Sequence, residues 1–262
     1  HSTGRRQRQM CIRDRLKDAI LPDYFQHMVN LATSRTNIML VGPTGCGKTH
    51  IVGLLAKTIG LKYSSISCSV GMTESKLEGW LLPTGTSGKF EYVQSQFVDM
   101  YENGGVFLLD EIDASDANTL VFINQAIAQD HFFLPKRFSK PLVKKHKDFI
   151  IVAAANTYGN GADMMFVGRN QLDAATLDRF RAGMITVDYD ERVERELVDS
   201  DVYDWGIKIR NRINSHKVKR AMSTRTMIEF TKLKADHGYG PAEWERSYFA
   251  DWTYDEKVRV TS

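Results

Sequence analysis

The chain has few cysteines, no long apolar run and little net charge, and each shortage removes a class of protein. Cys11, Cys46 and Cys68 form no Cys-x-x-Cys pair and are odd in number. That pattern argues against a disulfide framework or a zinc site and for a reducing compartment, so the cytoplasm is the expected location. The longest apolar runs, such as FIIVAAA from 149 to 155, fall far short of the roughly 20 residues that a bilayer span needs, and no membrane association is expected. No cluster of His and Cys has metal-binding spacing, and no Asn-Lys-x-Asp motif of the guanine-reading kind is present.

The formal charge is +3, but residues 1–15 hold five arginines and a single acid, Asp14. Setting them aside takes the 35 Lys and Arg to 30 and the 32 acids to 31, a net of −1, which leaves the body without a global reason to bind nucleic acid. The tail HSTGRRQRQMCIRDR lacks the apolar core of a signal peptide, and its string QMCIRDR resembles translated adapter sequence. It is expected to be a disordered or non-native extension, with a basic nucleic-acid-binding arm as the alternative.

What the chain does have is alternation. Short β-rich apolar runs at 37–42, 62–67, 105–110, 149–156 and 184–189 are separated by segments of helical period. Runs apolar on both faces predict a parallel sheet covered on both sides, a three-layer α/β domain over 16–190. Two stretches interrupt the pattern: 79–93, with Pro83, Gly85 and Gly88, and 131–149, with Pro135, Pro141 and six Lys or Arg between 136 and 147. Both read as inserted hairpins. From 191 to 262 the spacing is helical, with Ser223 or Thr224 as a helix N-cap and Gly238 near that helix's end, which predicts a small helical subdomain.

Three motifs carry chemistry. GPTGCGKT, residues 42–49, follows a strand and precedes the helical HIVGLLAKTIG. Gly42, Gly45 and Gly47 let successive backbone N–H groups turn around phosphate oxygens, so the contact set is Gly42, Pro43, Thr44, Gly45, Cys46, Gly47, Lys48, Thr49 and His50. Lys48 is expected to reach the β- and γ-phosphates and the Thr49 hydroxyl to bind Mg²⁺. In GGVFLLDEID, Asp110 stands at the end of a buried strand, suited to the Mg²⁺ shell, and Glu111 is placed to activate water. The fourth strand ends AAANT, which brings Asn156 to the same sheet edge, where a neutral amide can orient that water.

The ordered set GPTGCGKT, FLLDEID, AAANT, LDRF and STR, with inserts before the second and third motifs, resembles the AAA+ ATPases. It is most similar to the MoxR, dynein-related and magnesium/cobalt-chelatase group, and within it to CobS-type cobaltochelatase subunits and their phage-encoded relatives; YGNGADMMFVGRNQLDAATLDRF, residues 158–180, resembles that subgroup almost throughout. The resemblance implies a P-loop NTPase domain with a five-stranded parallel sheet of order 5-1-4-3-2 and a helical lid. It places Asn156 at the sensor-1 position, Arg179 at the arginine finger that serves a neighbouring subunit, with Arg169 and Arg181 as rivals, and Arg225 at the lid's sensor-2 position, where helix capping is the other reading. It also implies ATP as substrate, Mg²⁺, a homo-oligomeric ring expected to be a hexamer, and a partner bearing a von Willebrand A-type domain.

The leading expectation is therefore a Mg²⁺-dependent ATPase that remodels a partner protein. The alternatives are a nucleotide-switched, nucleic-acid-associated module, which draws on the basic run Lys136 to Lys147, and the motor of a metal chelatase. In the hairpin at 79–93, Trp80, Phe90 and Tyr92 suit either gripping a substrate or packing.

Overall fold

The computed structural model describes residues 20–85, 88–158 and 172–261. The basic tail and Arg169 lie outside the described residues, as does most of the 158–180 stretch. The described chain forms two compact units, one of residues 23–41 and 48–186, the other of 20–22, 42–47 and 187–261.

The first unit opens with α1 (Phe25–Thr33), β1 (Ile38–Val41), α2 (Lys48–Ile59) and β2 (Tyr63–Ser67). A short α3 (Ser75–Glu78) leads into the hairpin β3 (Gly79–Pro83) and β4 (Phe90–Gln94), then α4 (Gln96–Asn103), β5 (Gly105–Asp110) and α5 (Ala117–Ala128). A second hairpin, β6 (His131–Phe133) and β7 (Leu142–Lys144), precedes β8 (Phe149–Ala155), α6 (Ala174–Phe180) and β9 (Met184–Thr186). Five of these strands make one parallel sheet in the order β2, β5, β8, β1, β9. Counting only the sheet's own strands in chain order, that is 5-1-4-3-2, the order implied by the resemblance.

Four of the strand spans expected from sequence agree with the structure to within a residue. The fifth does not: the run 184–189 pairs only through Thr186, because its neighbour β1 ends at Val41, opposite Thr186, and supplies no further ladder. The central strand β8 is buried along its whole length, as a strand covered on both faces must be. Beside it an aromatic cluster fills the layer under α4. Phe97 meets Phe107 edge-on at 5.1 Å and Phe149 at 5.9 Å between centroids, and Phe132 packs on Tyr101 at 5.0 Å. Truncating a ring of this kind to alanine costs about 3–5 kcal/mol.

The two inserts are hairpins, as the turn residues predicted, and ion pairs tie down the basic one. Arg137 grips Glu102 through both terminal nitrogens at 2.6 and 3.0 Å, Lys140 meets the same carboxylate at 3.1 Å, and Lys136 reaches Glu78 at 2.7 Å. Burial alone raises the Glu102 pKa, but the hydrogen bonds from Arg137 and Lys140 outweigh it and leave the carboxyl below its ordinary value. In the first hairpin the three aromatics separate. Tyr92 packs against the core and donates to the Glu78 carbonyl at 2.6 Å, whereas Trp80 and Phe90 are exposed.

The second unit contains α7 (Glu191–Leu197), α8 (Ser200–Ser215), α9 (Thr224–His237), α10 (Pro241–Tyr248) and α11 (Tyr254–Thr261). Each start has a local cause. Asp190 and Ser223 accept backbone N–H bonds as N-caps of α7 and α9, and Pro241 opens α10 with Glu243 reaching back to the Gly240 N–H. Gly238, at φ 68°, ends α9 in the left-handed region that favours glycine. Val202, Met227, Phe230, Trp244 and Val260 form the core of this unit.

Candidate functional site

In a parallel sheet the strand C-termini gather at one rim. Register puts Val41 of β1 beside Ala155 of β8, and Leu109 of β5 beside Ala153, so the residues that follow each strand emerge together. Lys48, at the first turn of α2, is 8% exposed, and its ammonium donates to Asn156 Oδ1 at 2.9 Å. One turn position further, the Thr49 hydroxyl donates to Asp110 Oδ2 at 2.6 Å. The four residues that separate lines of sequence reasoning singled out are thus joined in two direct contacts.

Glu111 follows Asp110 with φ 56° and ψ 41°, one of three non-glycine residues with positive φ among those described. The left-handed conformation costs a non-glycine residue about 1–2 kcal/mol and is held here from both sides. The Glu111 N–H donates to Asp110 Oδ1 at 3.0 Å, and its carbonyl accepts from the Ala114 N–H at 2.8 Å across a tight 3₁₀ turn, Ile112–Ala114. Across this turn Glu111 is half-buried, whereas Asp113 is fully buried.

Asp113 is the residue that sequence reasoning missed. It is fully buried, and its Oδ2 accepts the backbone N–H groups of Asn156 and Thr157 and the Thr157 hydroxyl, each at 3.1 Å. Its carboxylate therefore clamps the end of β8 and sets where Asn156 points. The available signal was a third acid in DEID with no task of its own in hydrolysis. Beside this rim, the Cys68 N–H donates to the Asp110 carbonyl at 2.8 Å. Burial pushes the Cys68 thiol up to about 11, against a partly offsetting hydrogen bond from Ser115, so it stays protonated and inert at neutral pH.

The finger candidates differ in setting. Arg179, in α6, is half-buried and turned back on its own chain, its guanidinium donating to the carbonyls of Ala175 at 2.6 Å and Asn124 at 3.3 Å. Arg181 is exposed; its backbone N–H donates to the Asp178 carbonyl, and its guanidinium makes no hydrogen bond or ion pair among the described residues. His50, the last residue of the expected phosphate contact set, is exposed on α2.

In the second unit the loop 42–47 lies against Tyr189 and the start of α9. A Cβ on Gly45 would fall 2.6 Å from Ser223 Cβ, and Gly45 adopts φ 68°, so both space and backbone demand glycine there. The Arg225 N–H points to the Gly45 carbonyl at 3.4 Å, and the Arg225 side chain is exposed. Tyr189 donates its hydroxyl to the Thr44 carbonyl at 2.9 Å. Burial raises the Tyr189 phenol to about 12 despite the lowering effect of Arg210, so it remains a donor at any physiological pH.

Residues 37–180 match the AAA domain, dynein-related subfamily. Among curated proteins, an uncharacterized protein of Staphylococcus epidermidis is 27% identical over 201 residues, 74% of this chain and 70% of its own length. One from Staphylococcus aureus is 26% identical over 184 residues, 69% of this chain and 63% of its own. Two solved structures share the fold. One is an ATPase candidate from Cytophaga hutchinsonii (TM-score 0.56, 15% identity, 98% of this chain and 93% of that one). The other is NtrX from Brucella abortus in complex with ATP (TM-score 0.54, 14% identity, 92% and 58%). These likenesses reach the dynein-related subfamily without singling out cobaltochelatase subunits. The family match covers more than half of the chain, and its range includes Lys48, Thr49, Asp110, Glu111 and Asn156: the chain belongs to the dynein-related subfamily of AAA domains and is an ATPase.

Proposed function

We propose that the chain works as a Mg²⁺-dependent, ring-forming ATPase that uses hydrolysis to remodel a partner protein. The observation that carries the hydrolytic part is the pair of contacts Lys48 to Asn156 and Thr49 to Asp110. A hydroxyl and a carboxylate, both hard oxygens, fit magnesium, which takes few protein ligands and fills its remaining positions with water and phosphate oxygens. Bound Mg²⁺ supplies neutralisation of charge on the β- and γ-phosphate oxygens.

The chain's own groups supply the rest. Lys48 contributes a fixed positive charge at the phosphate loop. The Glu111 carboxylate takes the proton of the attacking water as that oxygen bonds to the γ-phosphorus and the bridge to ADP breaks. Asn156 holds the water in line through its amide, and Asp113 holds Asn156. Arg179, or its neighbour Arg181, provides a cation to the site of an adjacent subunit, and Arg225 provides one from the lid.

Protein remodelling is favoured over a nucleic-acid switch because the basic hairpin spends Lys136, Arg137 and Lys140 on Glu78 and Glu102, while Trp80 and Phe90 remain exposed on the other hairpin. A chelatase motor with a von Willebrand A-type partner is the narrower form of the same proposal. The test is Glu111→Gln, which should keep ATP binding, lower turnover by about 10²–10⁴-fold, and trap an ATP-dependent assembly by size-exclusion chromatography together with client proteins. Full turnover in that variant, or full wild-type activity as a monomer, overturns the proposal.

A further inference from the structure

We propose that Tyr189 is a positioning residue for the phosphate loop, locked in place by a buried ion pair; the inference rests on the ATPase reading. Glu194 is 1% exposed, and both of its oxygens accept from Arg210, Oε2 from Nη1 at 2.8 Å and Oε1 from Nη2 at 2.7 Å. Arg210 Nε bonds the Met222 carbonyl at 2.8 Å, and the Thr224 hydroxyl donates to Glu194 Oε1. With each of its three nitrogens engaged, the guanidinium plane is held in place. Its face lies 3.9 Å from the centre of the Tyr189 ring, a cation–π stack that sets the ring's position.

The Tyr189 hydroxyl ends this chain of contacts on the Thr44 carbonyl at 2.9 Å, and the next carbonyl along, Gly45, faces the Arg225 N–H at 3.4 Å. No cis peptide occurs among the described residues, so in each of these peptide units the N–H points opposite to its carbonyl. Two successive carbonyls held on the lid side therefore turn the N–H groups of Gly45 and Cys46 the other way, which is the arrangement that binds a phosphate anion. Glu194, Arg210 and Tyr189 act on the loop through one another; none of them needs to touch the nucleotide.

Tyr189→Phe keeps the ring and its stack on Arg210 and removes only the hydroxyl. The expected result is an ATP dissociation constant raised roughly three- to tenfold, the loss of one net hydrogen bond, read by titration with a fluorescent ATP analogue. The turnover number at saturating ATP and the melting temperature should stay at wild-type values. Unchanged affinity in a wild type that does bind ATP overturns this inference and leaves the ATPase reading standing. A wild type that binds no ATP overturns both. Affinity lost together with several degrees of melting temperature assigns Tyr189 a merely structural role and also overturns the inference.

Discussion

The Lys48 ammonium donates to Asn156 Oδ1 at 2.9 Å, so the cation of the phosphate loop and the amide at the end of β8 are held by each other. Asn156→Ala removes the amide proposed to orient water and keeps the lysine charge. Turnover should fall roughly 10- to 100-fold while ATP affinity changes little. Lys48→Ala should instead abolish binding. Isothermal titration beside a phosphate-release assay separates the two.

Asp113 is predicted to govern both stability and rate. Asp113→Ala leaves the part-buried N–H of Asn156 and the buried N–H of Thr157 without their acceptor, a loss of about 2–4 kcal/mol measurable as a lower urea midpoint. Asp113→Asn keeps an oxygen that can face the same donors, so its loss should be smaller. In both variants turnover should drop further than ATP affinity, because Asn156 loses its anchor. Wild-type turnover in Asp113→Ala would show that the clamp has no part in positioning the amide.

Arg179 is expected to act outside its own subunit. Its present bonds are to carbonyls of Ala175 and Asn124, neither of which needs a charge, so the guanidinium can be withdrawn at modest cost. Arg179→Ala should lower turnover by about 10³-fold or more and spare ATP binding, and mixing it with Lys48→Ala chains should restore activity at mixed interfaces. Arg181→Ala should have a small effect. The reverse pattern would move the finger to Arg181.

The second unit carries a pH-dependent contact. The hydrogen bond from Arg220, with a further one from the Thr253 N–H, lowers the Glu256 carboxyl from 4.5 to about 2. A folded-state pKa below the unfolded one means that the stabilisation is fully present above about pH 4.5 and is lost as the pH falls towards 2. Glu256→Gln should therefore melt lower than wild type at neutral pH, and the gap should close on acidification through that window. A gap that stays constant with pH would show that the charge of Glu256 is not what stabilises the contact.

Much of the fold was legible because its signals are local. An apolar run such as FIIVAAA, buried on both faces in β8, announces a central parallel strand wherever it occurs. Pro and Gly placed both hairpins, and Ser223 and Gly238 bounded α9 through caps that involve only neighbours in the chain. The fifth strand was overextended because its end depends on where β1 stops, a fact 140 or so residues away in the chain. In the site, GPTGCGKT, DE and AAAN were readable because phosphate loops and strand-end carboxylates need those residue types in that order.

The sequence by itself determined the alternation of strand and helix, the Gly-rich GPTGCGKT motif, and the acids and amide at the ends of their strands, since period and residue type suffice for them. Only the tertiary structure decided that Asp113 faces inward onto β8, that the Arg137 charge is absorbed by Glu102, that Arg179 folds back on Asn124, and that Tyr189 reaches Thr44. Each of these is a choice of partner for a polar group, 35 to 145 residues along the chain. Polar groups can be satisfied by many partners, so packing, and not local pattern, makes the selection.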